Sequence, residues 1–174
     1  MLMKTATAGA RARPSPRTLK RARGSRPGLD LSVQVATRSR TVPTPAELRK
    51  WIRAALKSDA RITVRLMGLA EARELNRTYR GRDYATNVLT FVFHARPPYE
   101  GDLALCAPVV SREARAQGKS VKAHYAHLAV HGALHLQGYR HAREKDACAM
   151  EQLETRILKQ LGYPDPYAAP SPHG

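Results

Sequence analysis

Acidic residues are scarce in this chain. Its 174 residues hold 14 Asp and Glu against 30 Lys and Arg, a formal charge of +16. Cysteine is scarcer still. Cys106 and Cys148 cannot build a disulfide framework, and they point to reduced thiols in a cytoplasmic protein. No run of 18 apolar residues occurs, which excludes a membrane-spanning helix and gives no reason to expect a membrane partner. What remains is 43% hydrophobic content, enough for one domain with a real core and too little for two.

The charge is unevenly placed. Eight cations (Lys4, Arg11, Arg13, Arg17, Lys20, Arg21, Arg23 and Arg26) precede the first acid of the chain, Asp30. Removing those eight leaves 22 Lys and Arg against 14 acids, so the rest of the chain is still at +8. Such a body attracts a polyanion, because binding phosphates releases condensed counterions. Solubility alone is the competing explanation. Residues 1–29, rich in Arg, Ala, Ser and Pro, lack apolar periodicity and are expected to be a disordered basic tail. Their composition fits an organellar transit peptide, an RNA-binding arm or an extension of no consequence equally well.

From residue 30 the pattern changes. Alternation at 31–35 and 61–66, and apolar runs at 88–93 and 102–106, predict four strands. Thr44 followed by Pro45 predicts a capped helix whose apolar residues are Leu48, Trp51, Ile52, Ala55 and Leu56. Further helices are expected over 69–79, 109–117, 120–137 and 143–161. The expected fold is a single α+β domain over residues 30–167, one four-stranded sheet covered by about five helices. Residues 168–174 are expected to form a short flexible end.

One stretch lacks charge altogether. Residues 123–139 contain no Asp, Glu, Lys or Arg in a protein that is one quarter charged, which predicts a helix buried nearly all round. It nevertheless carries His124, His127, His131 and His135, which fall within roughly 80° of one another at about 100° per residue. His124 is expected at the surface, and His127 in the core or supporting the site. His131 and His135 lie four apart on one face, Gly138 breaks the helix, and His141 follows. This His-x3-His-x2-Gly-x2-His spacing is that of metzincin proteases, and three imidazoles with an open fourth position describe a catalytic zinc site. The glutamate that serves those proteases as base is missing. Gly132 stands in its place, so a peptidase mechanism lacks its base.

The segment His131-Gly-Ala-Leu-His-Leu-Gln-Gly-Tyr-Arg-His141 resembles the signature of the YbeY family of bacterial single-domain zinc endoribonucleases. Residues 75–91, 101–106 and 152–167 also resemble that family, and about 135 residues from Leu31 onward match. The resemblance implies one bound zinc ion, with His131, His135 and His141 as its ligands. It also implies that Arg80 lines the cleft opposite the metal and is needed for activity. A single-strand-specific endoribonuclease is implied, acting in maturation of the 16S rRNA 3′ end and in ribosome quality control. Implied partners are ribosomal RNA and ribosomal particles, with an exoribonuclease and ribosomal-protein or GTPase partners. Two positions depart from the family pattern: Arg140 replaces a usual aspartate before the third histidine, and Gly68 replaces a common acidic residue.

Chemistry supports these roles. Phosphodiester cleavage builds negative charge on the non-bridging oxygens, which a metal and a guanidinium on opposite sides can stabilise. The planar fork of arginine holds two phosphate oxygens where lysine offers a point charge. Arg80 could instead pair with Asp83 or serve as a solvated turn residue. The attacking group is either a water activated at the metal or the RNA's own 2′-OH, and no adjacent glutamate identifies a protein base. A metalloprotease, and an RNA- or ribosome-binding factor with a mainly structural zinc, are the two competing functions.

Overall fold

The computed structural model describes residues 26–169, so most of the expected basic tail, and of the expected flexible end, lies outside the described residues. The first strand opens at Leu29, which is only 8% exposed and pairs with Ala60, so burial draws it into the sheet. Nine elements follow in the order β1 (Leu29–Ala36), α1 (Pro45–Ala55), β2 (Ala60–Met67), α2 (Leu69–Arg80), β3 (Val88–His94), β4 (Tyr99–Cys106), α3 (Ala107–Ala116), α4 (Val121–Leu136) and α5 (Glu144–Gln160). The expected α+β class, four strands and five helices are all present, with boundaries moved by a few residues.

The strands form one sheet in the order β1-β2-β4-β3. β1 runs parallel to β2 and β2 parallel to β4, whereas β3 and β4 form an antiparallel pair. The two inner strands are covered on both faces. Ile62, Val64, Leu66, Leu103 and Leu105 enter the main core, while Met67, Ala104 and Cys106 enter a smaller core with Ala72, Leu75 and Leu89. Alternation of side chains along a strand produces this division. It leaves α2 on one face of the sheet, and α1, α4 and α5 on the other.

Local chemistry sets the helix starts. The Thr44 side chain accepts from the Glu47 amide while Glu47 accepts from the Thr44 amide, a reciprocal cap completed by Pro45 in the first turn. Ser120 caps α4 through the Ala123 amide. Gly81 ends α2 in the left-handed region at φ +67°, a conformation that costs other residues more. Gly138 turns the chain out after α4 in the same way, at φ +95°.

α4 is the centre of the domain. Ten of its sixteen residues are buried, among them Tyr125, Leu128, Val130, Leu134 and Leu136. It contacts β3, β4, α1, α3 and α5. Gly132 allows its approach to the sheet, since a Cβ there would lie 2.7 Å from Cδ2 of the fully buried Leu103. The position that lacks the metzincin glutamate is therefore a packing contact, where any side chain would force Leu103 to shift.

Replacing Gly132 with Glu is expected to destabilise the fold by at least about 3 kcal/mol, through overpacking and burial of a charge. Chemical denaturation of the variant checks this; a loss below about 1 kcal/mol would show that α4 can move off the sheet.

Candidate metal centre and cleft

Each imidazole of the α4 histidine stripe is engaged through at least one ring nitrogen, while Nδ1 of His124 and Nδ1 of His127 are buried without a partner among the described residues. Nε2 of His124 donates to Glu113 at 2.7 Å, and Asn87 donates to the same carboxylate oxygen at 3.0 Å. His124 is only 4% exposed, so the expected surface position is wrong. Glu113 on α3 draws the ring inward, and burial in the core is possible because that pairing offsets the desolvation. Nε2 of His127 donates to Glu154 at 2.8 Å, and Nδ1 of His131 donates to the other oxygen of Glu154 at 2.6 Å. His127 is half-buried and shares the partner of His131, as expected of a supporting residue.

Glu154 was not among the candidate residues, and it organises this centre. It is 0% exposed on α5 and accepts from His127, His131 and the hydroxyl of Tyr167. Burial pushes its carboxyl upward, but the hydrogen bonds from His127, His131 and Tyr167 and the charge of His131 outweigh it and hold the pKa at about 2. The side chain is therefore ionised and can only accept. A signal for it exists in the sequence: Glu154 lies in the buried stripe Met150, Glu154, Ile157, Leu158, where an acid is out of place.

These bonds fix the tautomers. An ionised Glu154 obliges His131 to carry its proton on Nδ1. The Tyr139 carbonyl, 2.9 Å from Nδ1 of His135, obliges that ring to do the same. Desolvation and the neighbouring His131 lower the His135 pKa to about 4, so this ring is neutral near pH 7. The two Nε2 atoms face each other at 2.9 Å. Two lone pairs at that distance repel, and either a proton on one nitrogen or a cation between the pair relieves the repulsion. An ion holding imidazoles at ~2.0–2.1 Å in tetrahedral geometry brings them to about 3.3 Å, so the arrangement fits a metal within a few tenths of an ångström.

His141 completes the group. The turn at Gly138 brings its ring to 4.9 Å from His131, nearly parallel, and to 5.0 Å from His135. One nitrogen from each of the three lies within 4.8 Å of the others, a set that can hold a metal ion. His127, His131 and Glu154 meet the same distance. In that second group the carboxylate is sealed in the core and engaged by three donors. Only the first opens outward, through the exposed His141.

The opening is a cleft of about 500 Å³ lined by Arg80, Thr86, Asn87, Val88, Thr90, Val92, His131, His135, Arg140 and His141. No acid lines it. Arg80 enters from the last turn of α2, and the Thr86–Asn87 segment and β3 form the wall between it and the histidines. Arg80 forms no ion pair among the described residues, because Asp83 takes both of its contacts, each 2.8 Å, from Arg73. The Arg80–Asp83 alternative is thereby removed. Arg140 donates to the carbonyls of His135 and Tyr139 at 3.1 and 3.3 Å, closing the end of α4 with a cation. The polarity of this cleft suits an anionic ligand.

Comparison with known proteins gives a consistent outcome. The sequence model of the family described as "Endoribonuclease YbeY" matches residues 34–162. The chain is 61% identical over 126 residues to "Endoribonuclease YbeY" of Aromatoleum aromaticum, covering 72% of this chain and 82% of that protein. It is 56% identical over 147 residues to the protein of the same description from Methylibium petroleiphilum, covering 84% and 99%. Among solved structures it is similar to the solution structure of TM1509 from Thermotoga maritima. That match has a TM-score of 0.54 at 24% identity, covers 75% of this chain and 88% of the other, and speaks to the fold alone.

If Glu154 orients His131 for a metal, Glu154→Gln should lower metal affinity about 10- to 100-fold, the usual effect of losing a partner behind a ligand. Competition with a chromophoric chelator measures it; unchanged affinity would leave Glu154 as a stability residue only.

Proposed function

The chain belongs to the Endoribonuclease YbeY family, and from that premise we propose that it is a zinc-dependent endoribonuclease that cuts single-stranded RNA. We further propose that it acts in the cytoplasm in maturation of the 16S rRNA 3′ end and in ribosome quality control. Its partners in this reading are ribosomal RNA and ribosomal particles, with an exoribonuclease and ribosomal-protein or GTPase partners. The observation that carries the reading is the convergence of an unpaired arginine and three histidines on one acid-free cleft.

The geometry supports the following roles. His131, His135 and His141 would hold one zinc ion. Imidazole donors, one of them kept neutral by burial, suit zinc, and the cleft leaves access to a fourth position. When bound there, the ion supplies Lewis acidity toward a phosphodiester and its attacking oxygen. Glu154 holds the proton on Nδ1 of His131, and the Tyr139 carbonyl does the same for His135, so both rings keep their Nε2 lone pairs directed at one point. Arg80 stands across the cleft with its guanidinium uncommitted and takes two non-bridging phosphate oxygens as charge develops on them. Arg140 adds a second positive charge at the rim. Thr86, Asn87 and Thr90 give the opposite wall hydroxyl and amide groups for sugar or phosphate oxygens.

No carboxylate in the cleft can act as general base. Peptidase chemistry at this histidine spacing would need one beside His131, and Gly132 is packed on Leu103.

With an RNA spanning the small-subunit 3′ end, the protein should produce defined cuts. Arg80→Ala should slow cleavage about 10²- to 10³-fold, the usual effect of removing one such donor, and His135→Ala should abolish it. Identically prepared samples exclude contaminating ribonuclease. If all three proteins cut alike, or none does, an RNA-binding factor with a mainly structural zinc replaces the nuclease.

A further inference from the structure

We propose that the outward face of α1 is a backbone track that holds the phosphates of single-stranded RNA beyond the cut site. Lys57, Arg53, Lys50 and Arg49 are its contacts. The inference rests on the nuclease reading for what lies in the cleft, and adds where the rest of the strand goes.

α1 lies alongside α4 and points the same way. At their starts Glu47 pairs with Lys122 at 2.5 Å; at their ends Gln137 donates to the Ala55 carbonyl at 2.7 Å and accepts from the Lys57 amide at 2.9 Å. α1 therefore ends beside the histidine cleft. Lys57 donates to the Tyr139 hydroxyl, with its ammonium 4.9 Å from the centre of that ring. The carbonyl of the same tyrosine receives His135 and Arg140. A row of cations thus begins with Arg140, which lines the cleft, and passes to Lys57 on the neighbouring Tyr139.

It continues along the helix. Leu48, Trp51, Ile52 and Ala55 turn inward to the core, which leaves Arg49, Lys50 and Arg53 within about 100° of one another on the outer side. Together with Arg26 they line a hollow of about 500 Å³ to which no carboxylate contributes. Arg49 spends one N–H on the Leu29 carbonyl at 2.8 Å, which leaves its charge uncompensated. Nε of Arg53 is buried with no acceptor. Among the described residues none of Arg49, Lys50 and Arg53 forms an ion pair. Elsewhere on this surface arginines find acids, as Arg61 does with Asp30 and Arg73 with Asp83. Clustered cations without counter-charges repel one another, and a polyanion relieves that repulsion. Continuity with a cleft built for a phosphodiester selects the nucleic acid strand over an acidic polypeptide.

The test is equilibrium binding of fluorescein-labelled single-stranded RNAs of 20 and 6 nucleotides, measured by anisotropy across a salt series and with RNA integrity checked afterwards. The double variant Lys50→Gln/Arg53→Gln should bind the long RNA about tenfold more weakly. Its log–log salt slope should be shallower by about 1.4, two contacts at about 0.7 each. The short RNA should change less than twofold. Lys50→Gln alone, at an exposed position, should give about half the change in slope and an unaltered unfolding midpoint. An unchanged slope for the long RNA, or equal losses for long and short, overturns the track. So does unchanged RNA affinity with lost binding of poly-glutamate, which would reassign the face to an acidic protein. Track-dependent binding without any cleavage by the parent would instead defeat the nuclease reading alone.

Discussion

The buried carboxylate of Glu154 is the constraint around which the centre of this protein is arranged. Four imidazoles on the most buried helix of a domain are an energetic liability, since each unpaired polar group in a core costs about 1–3 kcal/mol. Glu154 takes two of them and Glu113 a third, from helices on opposite flanks of α4. Packing and polarity are thereby coupled. α3 and α5 can only lie where their acids reach the stripe, and that placement fixes which ring nitrogens carry protons.

From this follows the division of labour along α4. At its start, His124 is buried and held by Glu113 through Nε2. In the middle, His127 and His131 share one acid, and of the two only His131 lines the cleft. At its end, His135 is held by a backbone carbonyl and keeps its Nε2 free. The helix thus passes from core to site within about three turns, and Gly138 turns the chain back so that His141 closes the group from outside. The close approach at Gly132 presses the same helix onto β4, so the histidines sit at a fixed height above the strand wall of the cleft.

The electrostatic plan is equally asymmetric. Glu113 and Glu154 serve histidines inside, and several surface acids pair with arginine or lysine, whereas among the described residues no acid lines the cleft or the hollow beside α1. The consequence is a site whose unbalanced charges all have one sign. Such a surface raises the local concentration of an anionic strand and speeds its encounter, an effect that weakens with salt.

The local rules of the chain made much of this plain in advance. Alternation and periodicity located all four strands and five helices, because burial of apolar side chains imposes those periods. Thr44 and Pro45 marked the start of α1 by the chemistry of an open helix end. The spacing of His131, His135 and His141 followed from helical geometry and one glycine, so their convergence was legible in order and distance along the chain. What the sequence could not contain was the meeting of residues far apart in it. Glu154 reaches His131 across 23 positions, and Glu113 reaches His124 across 11, so the inward turn of His124 was invisible. Spacing alone allows Arg80 to pair with Asp83, and only the fold gives that acid to Arg73 on the same helix. Gly132 was an absence in the sequence and became a contact only when β4 lay beneath it. Local periodicity is written in nearest neighbours along the chain, whereas proton positions and free charges depend on which groups the folded topology brings within hydrogen-bond reach.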